Sequence, residues 1–170
     1  MKTSADILEI FLQPGEFYFS DAKTRIRTLL GSCVSITMWH PLHHVGGMCH
    51  YMLPERSKKE AGVALDGRYG AEAMQLFMQE LRRYKLQPSE FQVKLFGGGR
   101  MFDELRRTKK LKGHVDIGDR NIVFARELLA RNGFTLHVED MGGSGHRNII
   151  LDLWSGDVWV RQVKKANAAA

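Results

Sequence analysis

Residues 33–39 alternate strictly, with Val34, Ile36 and Met38 on one side and Cys33, Ser35, Thr37 and Trp39 on the other. A period of two belongs to a strand, because successive side chains of an extended backbone point to opposite faces. The run breaks at His40-Pro41. Residues 45–53 then read as its hairpin partner, returning across a histidine-rich loop and ending at Pro54, which offers no ladder donor. The chain is therefore at least partly β, and whatever lies at the two ends of this hairpin is brought together across neighbouring strands.

Around the hairpin the pattern mixes short strands with two helices. Residues 7–12 and 16–19 are β segments flanking the Pro14-Gly15 turn. After a charged loop at 56–63, Asp66 is placed to cap a helix running to Tyr84, whose stripe of Ala73, Met74, Phe77, Leu81 and Tyr84 packs as core. Residues 91–96 are strand-like and stop at Gly97-Gly98-Gly99. A second helix over 121–132 shows Ile122, Ala125, Leu128 and Leu129 on its apolar face, with Gly133 as its stop. Strands over 135–139, 148–154 and 157–163 follow, the last two joined by Ser155-Gly156 as a hairpin.

At 170 residues and 44% hydrophobic content the chain suits one domain, large enough to bury roughly 70% of the surface of its unfolded form. That domain spans 1–163, and the patternless stretch 164–170 is expected to fray. The start lacks the apolar segment of a signal peptide, and nothing approaches the ~18 consecutive apolar residues of a membrane span. A reducing, cytoplasmic setting with Cys33 and Cys49 as free thiols is the expectation. Lys and Arg number 25 against 19 Asp and Glu, a net charge of +6, which favours acidic partners only weakly. The five basic residues in 106–112 have no interleaved aromatics and match no nucleic-acid-reading motif, so nucleic acid is not expected as a partner.

Gly31-Ser32-Cys33 ends a tight turn at the start of the alternating strand, and His50 lies on its partner. A thiol so placed is a candidate nucleophile, with His50 holding it as thiolate, protonating a leaving group and then activating water. Backbone N–H groups around Gly31, Ser32 and Cys33 are natural donors to an oxyanion, since a glycine turn lets successive amides point outward together. Thr28 and Ser35 are the nearby hydroxyls able to orient the imidazole, and spacing does not choose between them. Cys49, one residue from His50, faces the other way and belongs to the core. His40, His43, His44 and His50 with the cysteines supply zinc-type ligands, but no zinc spacing is present and no metal or other cofactor is expected. The glycine runs at 97–99 and 142–145 match neither phosphate-loop pattern and read as close backbone packing.

Read together, Pro14-Gly15-Glu16, Thr28-Leu29-Leu30-Gly31-Ser32-Cys33-Val34 and Gly46-Gly47-Met48-Cys49-His50-Tyr51-Met52-Leu53-Pro54 resemble blocks of the chemoreceptor glutamine deamidase family, CheD. Asp66-Gly67-Arg68-Tyr69-Gly70, Lys94 through Phe102, Gly118-Asp119-Arg120-Asn121 and Glu139 through Arg147 continue the resemblance in order, over residues 10–163. It implies an α/β (α+β) three-layer sandwich of helices and β-sheet layers. It also implies hydrolysis of selected glutamine side chains on the cytoplasmic helices of chemoreceptors to glutamate and ammonia, with receptor methylesterase activity in some members. By motif match Cys33 is the nucleophile, His50 the acid and base, and Thr28 the third catalytic residue. A CheC-type phosphatase is the implied regulatory partner. The competing expectation is a catalytically silent adaptor that uses the same groove to dock on receptors or a phosphatase.

Overall fold

The alternating run is buried on both of its faces because it lies in the middle of three layers. A computed structural model describes residues 6–101 and 115–163; the basic run at 106–112 and the stretch 164–170 lie outside the described residues. Strands β1 (Leu8–Leu12), β3 (Thr24–Leu30), β8 (His146–Asp152) and β9 (Val158–Val163) form one sheet in the order β1-β3-β8-β9. Strands β2 (Phe17–Ser20), β5 (Gly46–Cys49), β4 (Val34–Trp39), β6 (Gln92–Gly97) and β7 (Leu136–Met141) form the second in the order β2-β5-β4-β6-β7. Helices α1 (Gly70–Tyr84) and α2 (Ile117–Arg131) cover one face of the five-stranded sheet, and the four-stranded sheet covers the other. This is the α+β sandwich that the resemblance implies.

Each gap between layers holds its own core. Val34, Ile36 and Met38 pack with Phe77 and Leu81 of α1 and with Ala125, Leu128 and Leu129 of α2. Trp39, Met48 and Phe96 pack with Ile26, Leu30, Ile149 and Leu151 from the facing sheet. Burial of each such large side chain is worth roughly 1.5–3 kcal/mol, so both seams contribute to holding the layers in place.

Several elements differ from the sequence reading. The segment β3 was not expected as a strand, because its outward residues Arg25 and Arg27 and its inward Thr24 and Thr28 dilute the apolar alternation; only Ile26 and Leu30 mark the buried side. Asp66 does not cap α1. The helix begins four residues later at Gly70, while the Asp66 carboxylate accepts from the Arg68 N–H at 2.9 Å and from its guanidinium at 2.6 Å. Tyr84, expected in the core stripe, is exposed at the end of α1. Helix α2 begins at Ile117 rather than at residue 121, because the Asp116 side chain accepts from Gly118 N–H at 2.8 Å and starts the helix a turn earlier. Its apolar face is as expected, and Gly133 follows it in the left-handed region at φ 78°.

The hairpin of β4 and β5 forms, with Trp39 opposite Gly46 and Thr37 opposite Met48. Its second strand is shorter than residues 45–53 because His50 leaves the ladder. The His50 N–H donates to the Glu16 carbonyl at 3.1 Å, and the His50 carbonyl accepts from Gly15 N–H at 2.7 Å. Tyr51 then rejoins Val34 in an isolated antiparallel bridge.

Candidate active site

Cys33 stands where the chain crosses from the four-stranded sheet to the five-stranded one, between the end of β3 and the start of β4. The crossing is held from behind by the glycine run that follows β6. Gly98 N–H donates to the Cys33 carbonyl at 2.9 Å and Gly99 N–H to the Gly31 carbonyl at 2.8 Å. Gly97 must be glycine here: its φ is +110°, and a Cβ would collide with the Cys33 carbonyl oxygen. Among the described residues, the N–H groups of Ser32 and Cys33 have no backbone acceptor. With the carbonyls of the turn engaged and neither amide donating to a backbone acceptor among the described residues, the turn can present donors to a developing oxyanion.

The glycine run is itself braced. Arg147, almost wholly buried, donates to the carbonyls of Gly97 at 3.4 Å and Gly142 at 2.5 Å and pairs with Asp140 at 3.2 Å. The run at 97–99 serves close backbone packing, as expected; the run at 142–145 does not, since a Cβ at Gly142 or Gly143 would meet nothing nearer than 3.7 Å, and these glycines instead supply the positive φ of 77° and 69°.

His50 reaches the same place from the hairpin. Met48 packs into the seam between the sheets and Cys49 into the helix side, so the next residue returns to the seam. There, His50 Nδ1 lies 2.6 Å from Thr28 Oγ1. The Thr28 hydroxyl donates its only proton to the Leu12 carbonyl at 2.9 Å. Its oxygen must therefore accept, and the proton between it and the imidazole belongs to Nδ1. That tautomer leaves Nε2 with a lone pair, the state a general base requires.

Cys33 and His50 share one face. Val34 and Tyr51 exchange two hydrogen bonds, at 3.1 and 3.0 Å, and both point into the helix-side core. Their neighbours Cys33 and His50 point the opposite way as diagonal partners, a relation that typically separates Cα positions by about 7–8 Å. The thiol and the imidazole are not hydrogen-bonded to each other, and both are neutral near pH 7. Burial pushes the Cys33 thiol up from its ordinary 9.0, with its own backbone N–H opposing. Burial also pulls His50 down from 6.5 to about 4, against the Glu16 carboxylate, which raises it. Burial thus disfavours the charged form of each group and works against the expected thiolate held by His50.

The other candidates fall elsewhere. Ser35 is fully buried beside the site, but its hydroxyl has no hydrogen-bond partner and does not touch His50. Cys49 is fully buried among helix-side residues, and its thiol is pushed up to about 12. His40 accepts from the Leu42 and His43 N–H groups, each at 3.2 Å, in the hairpin loop. Among the described residues no three His, Cys, Asp or Glu side chains are arranged to hold a metal ion, and no helix is long and apolar enough to cross a membrane.

Sequence reasoning missed Asn121. It lies in the second turn of α2, fully buried, and its Nδ2 donates to the carbonyls of Ser32 at 3.1 Å and Met52 at 2.9 Å. Placing the helix start at residue 121 hid it as a terminal polar residue. The available signal was its membership of the Gly118-Asp119-Arg120-Asn121 block.

Comparison with known proteins bears on this geometry. A family model described as CheD chemotactic sensory transduction matches residues 52–162. A Dechloromonas aromatica protein named probable chemoreceptor glutamine deamidase CheD 3 is 51% identical over 164 residues, covering 96% of this chain and 93% of that one. A Pseudomonas syringae pv. tomato protein named probable chemoreceptor glutamine deamidase CheD is 46% identical, covering 95% of this chain and 93% of its own. One from Leptospira interrogans, named probable chemoreceptor glutamine deamidase CheD 1, is 45% identical over 92% of this chain and 93% of its own. Likeness to a solved structure, the Bacillus licheniformis hypothetical protein YfiH, is slight, with a TM-score of 0.41 at 12% identity over 72% of this chain and 49% of that one, and carries no argument.

Proposed function

The chain belongs to the CheD family, and from that premise we propose that it deamidates glutamine side chains of chemoreceptors, with Cys33 as nucleophile, His50 as base and acid, and Thr28 as the group that orients His50. The substrates are carboxamides on the cytoplasmic helices of receptors, so the reaction belongs in the cytoplasm. A CheC-type phosphatase is the regulatory partner to which the family resemblance points.

The observation that carries the residue assignment is the Thr28–His50 contact at 2.6 Å. With Thr28 committed to the Leu12 carbonyl, the imidazole is locked in the tautomer that can take a proton at Nε2. Because the pair rests neutral, the thiol proton passes to Nε2 as sulfur attacks the glutamine carboxamide carbon. The carbonyl oxygen becomes an oxyanion toward the N–H groups of Ser32 and Cys33. The C–N bond then breaks, and ammonia leaves with the proton held by His50. A water molecule next gives a proton to Nε2 and attacks the thioester, the carbon–sulfur bond breaks, and sulfur recovers its proton. Glutamate and the starting enzyme result, with every proton accounted for.

The test is ammonia release, or the corresponding mass shift, from receptor cytoplasmic fragments with wild type and Cys33→Ala. Wild type should release ammonia and Cys33→Ala none. Equal release by both would remove Cys33 from the chemistry, and a wild type that binds the fragments and releases nothing would be the adaptor instead.

A further inference from the structure

Two cross-links join the nucleophile turn to the His50 segment, one on each side of Cys33. On the C-terminal side, Val34 and Tyr51 are paired by backbone hydrogen bonds. On the N-terminal side no backbone pairing exists between Ser32 and Met52, and the link is a side chain: the Asn121 amide group donates one N–H to the Ser32 carbonyl and the other to the Met52 carbonyl. We propose that Asn121 is a positioning residue of this reaction, holding the Cys33 turn in register with His50 from the first turns of α2. The inference rests on the deamidase reading above.

Three features separate this role from ordinary packing. First, Asn121 is fully buried, yet its Oδ1 has no hydrogen-bond partner. An unpaired buried acceptor is a cost to stability, so the residue is not the choice a purely structural position would favour. Second, the helix is anchored where the clamp sits. Tyr51 Oη donates to the Asn121 carbonyl at 2.5 Å, so the residue next to His50 holds the backbone of the residue that holds the turn. Third, α2 approaches the glycine run closely: a Cβ at Gly118 would meet the carbonyls of Gly98 and Gly99 at 2.6 and 2.7 Å. The same two glycines hold the Cys33 and Gly31 carbonyls. The start of α2 therefore grips the turn directly through Asn121 and indirectly through the glycines.

The chemistry requires a neutral, two-proton donor at this point. Two carbonyls face the Asn121 nitrogen, and a carboxylate in its place would meet both with like partial charge. A lysine would place a full charge at a fully buried position. If the clamp is lost, the Ser32 carbonyl is free to turn, and the Ser32–Cys33 amides lose the orientation an oxyanion needs, as does the thiol relative to Nε2. A misplacement of about 1 Å near reacting atoms costs rate rather than ground-state binding.

The test compares Asn121→Ala and Asn121→Ser with wild type, Cys33→Ala and Leu81→Ala in the receptor-fragment assay, with the folded fraction of each measured by circular dichroism. Leu81→Ala loosens the same helix-side core without touching the turn. Asn121→Ala should lower kcat per folded molecule more than ~10-fold with KM changed less than ~3-fold, and Asn121→Ser, which keeps one donor, should recover part of the loss. Leu81→Ala should keep kcat per folded molecule. An unchanged kcat in either Asn121 variant, or a rise in KM alone, overturns the proposal. If Asn121→Ala does not fold, Asn121→Ser carries the same reading. A wild type without ammonia release would instead remove the deamidase premise, which keeps the two failures apart.

Discussion

The two seams that flank the five-stranded sheet are built from alternate residues of the same strands, yet they differ in kind. On the helix side, Val34, Ile36, Met38 and Cys49 meet Phe77, Leu81 and Leu128 in a packed hydrocarbon layer. On the side of the facing sheet, the apolar core of Trp39, Met48, Phe96 and Ile149 gives way toward one end to Thr28, Ser35, His50 and the partly exposed Cys33. Away from Asn121 at the start of α2, the helix side can be optimised for packing alone. The sheet-to-sheet seam gives up some packing to bury polar groups, and it tolerates an unpartnered Ser35 hydroxyl to do so. Parity along β4 and β5 therefore separates stability from chemistry at single-residue spacing.

The two thiols break the comparison most sharply. Cys33→Ala should fold and release no detectable ammonia, whereas Cys49→Ala should keep substantial activity, because Cys49 faces the helices. An inactive but folded Cys49→Ala would mean that the two seams are not functionally separate. The converse perturbation is Phe77→Ala. It removes a fully buried ring at the centre of the helix side and should lower unfolding free energy by about 3–5 kcal/mol in urea titrations. Activity per folded molecule should stay unchanged.

This division was legible in part. The alternation of residues 33–39 predicted a strand, and the adjacency of Cys49 to His50 predicted that Cys49 faces away from the site, because a strand writes its two faces into every second residue. The face opposite was not legible: β3 carries arginine on its outward side and threonine on its inward side, and one of its two inward threonines is Thr28, which contacts His50. A polar side chain in a seam looks like a loop residue until the strand is known. The resemblance to CheD named Cys33, His50 and Thr28, while residues alone left Thr28 and Ser35 equal. Only the fold brings the Leu12 carbonyl to Thr28, which fixes the imidazole tautomer. Asn121 was hidden for a related reason, since its partners are backbone carbonyls 69 and 89 residues away in sequence.

The cost of burying His50 gives the seam a pH signature that the helix side lacks. Its folded pKa is about 4 against an ordinary 6.5, lowered by burial. Between those values the unfolded chain binds the proton and the folded chain does not, so stability is unaffected above 6.5 and falls as pH drops through the window. The slope is about 1.4 kcal/mol per pH unit, roughly 3 kcal/mol across the window. Carboxylates such as Glu72, held below its ordinary 4.5 by Arg56, lose their own contribution only at lower pH. Urea unfolding at pH 7 and pH 5 should therefore show a loss in wild type that His50→Gln reduces. An equal loss in both would mean that His50 is not buried neutral.

Thr28 provides the finest test, because it changes one hydrogen bond and almost no volume. Thr28→Val removes the acceptor of the Nδ1 proton while the Leu12 carbonyl loses its donor. The imidazole is then free to adopt the other tautomer or to turn, and the fraction of molecules with a lone pair at Nε2 facing the thiol falls. The rate of ammonia release should drop more than ~10-fold, about 1.4 kcal/mol of barrier. Thr28→Ser keeps the hydroxyl and should lose less, since its only deficit is the methyl group that fixes the rotamer. Stability of Thr28→Val should move far less than that of Phe77→Ala, which separates an orienting role from a packing one. A full-rate Thr28→Val would return the orienting role to Ser35 or a backbone carbonyl, and with it would fall the inference that the seam's polar residues are retained for chemistry.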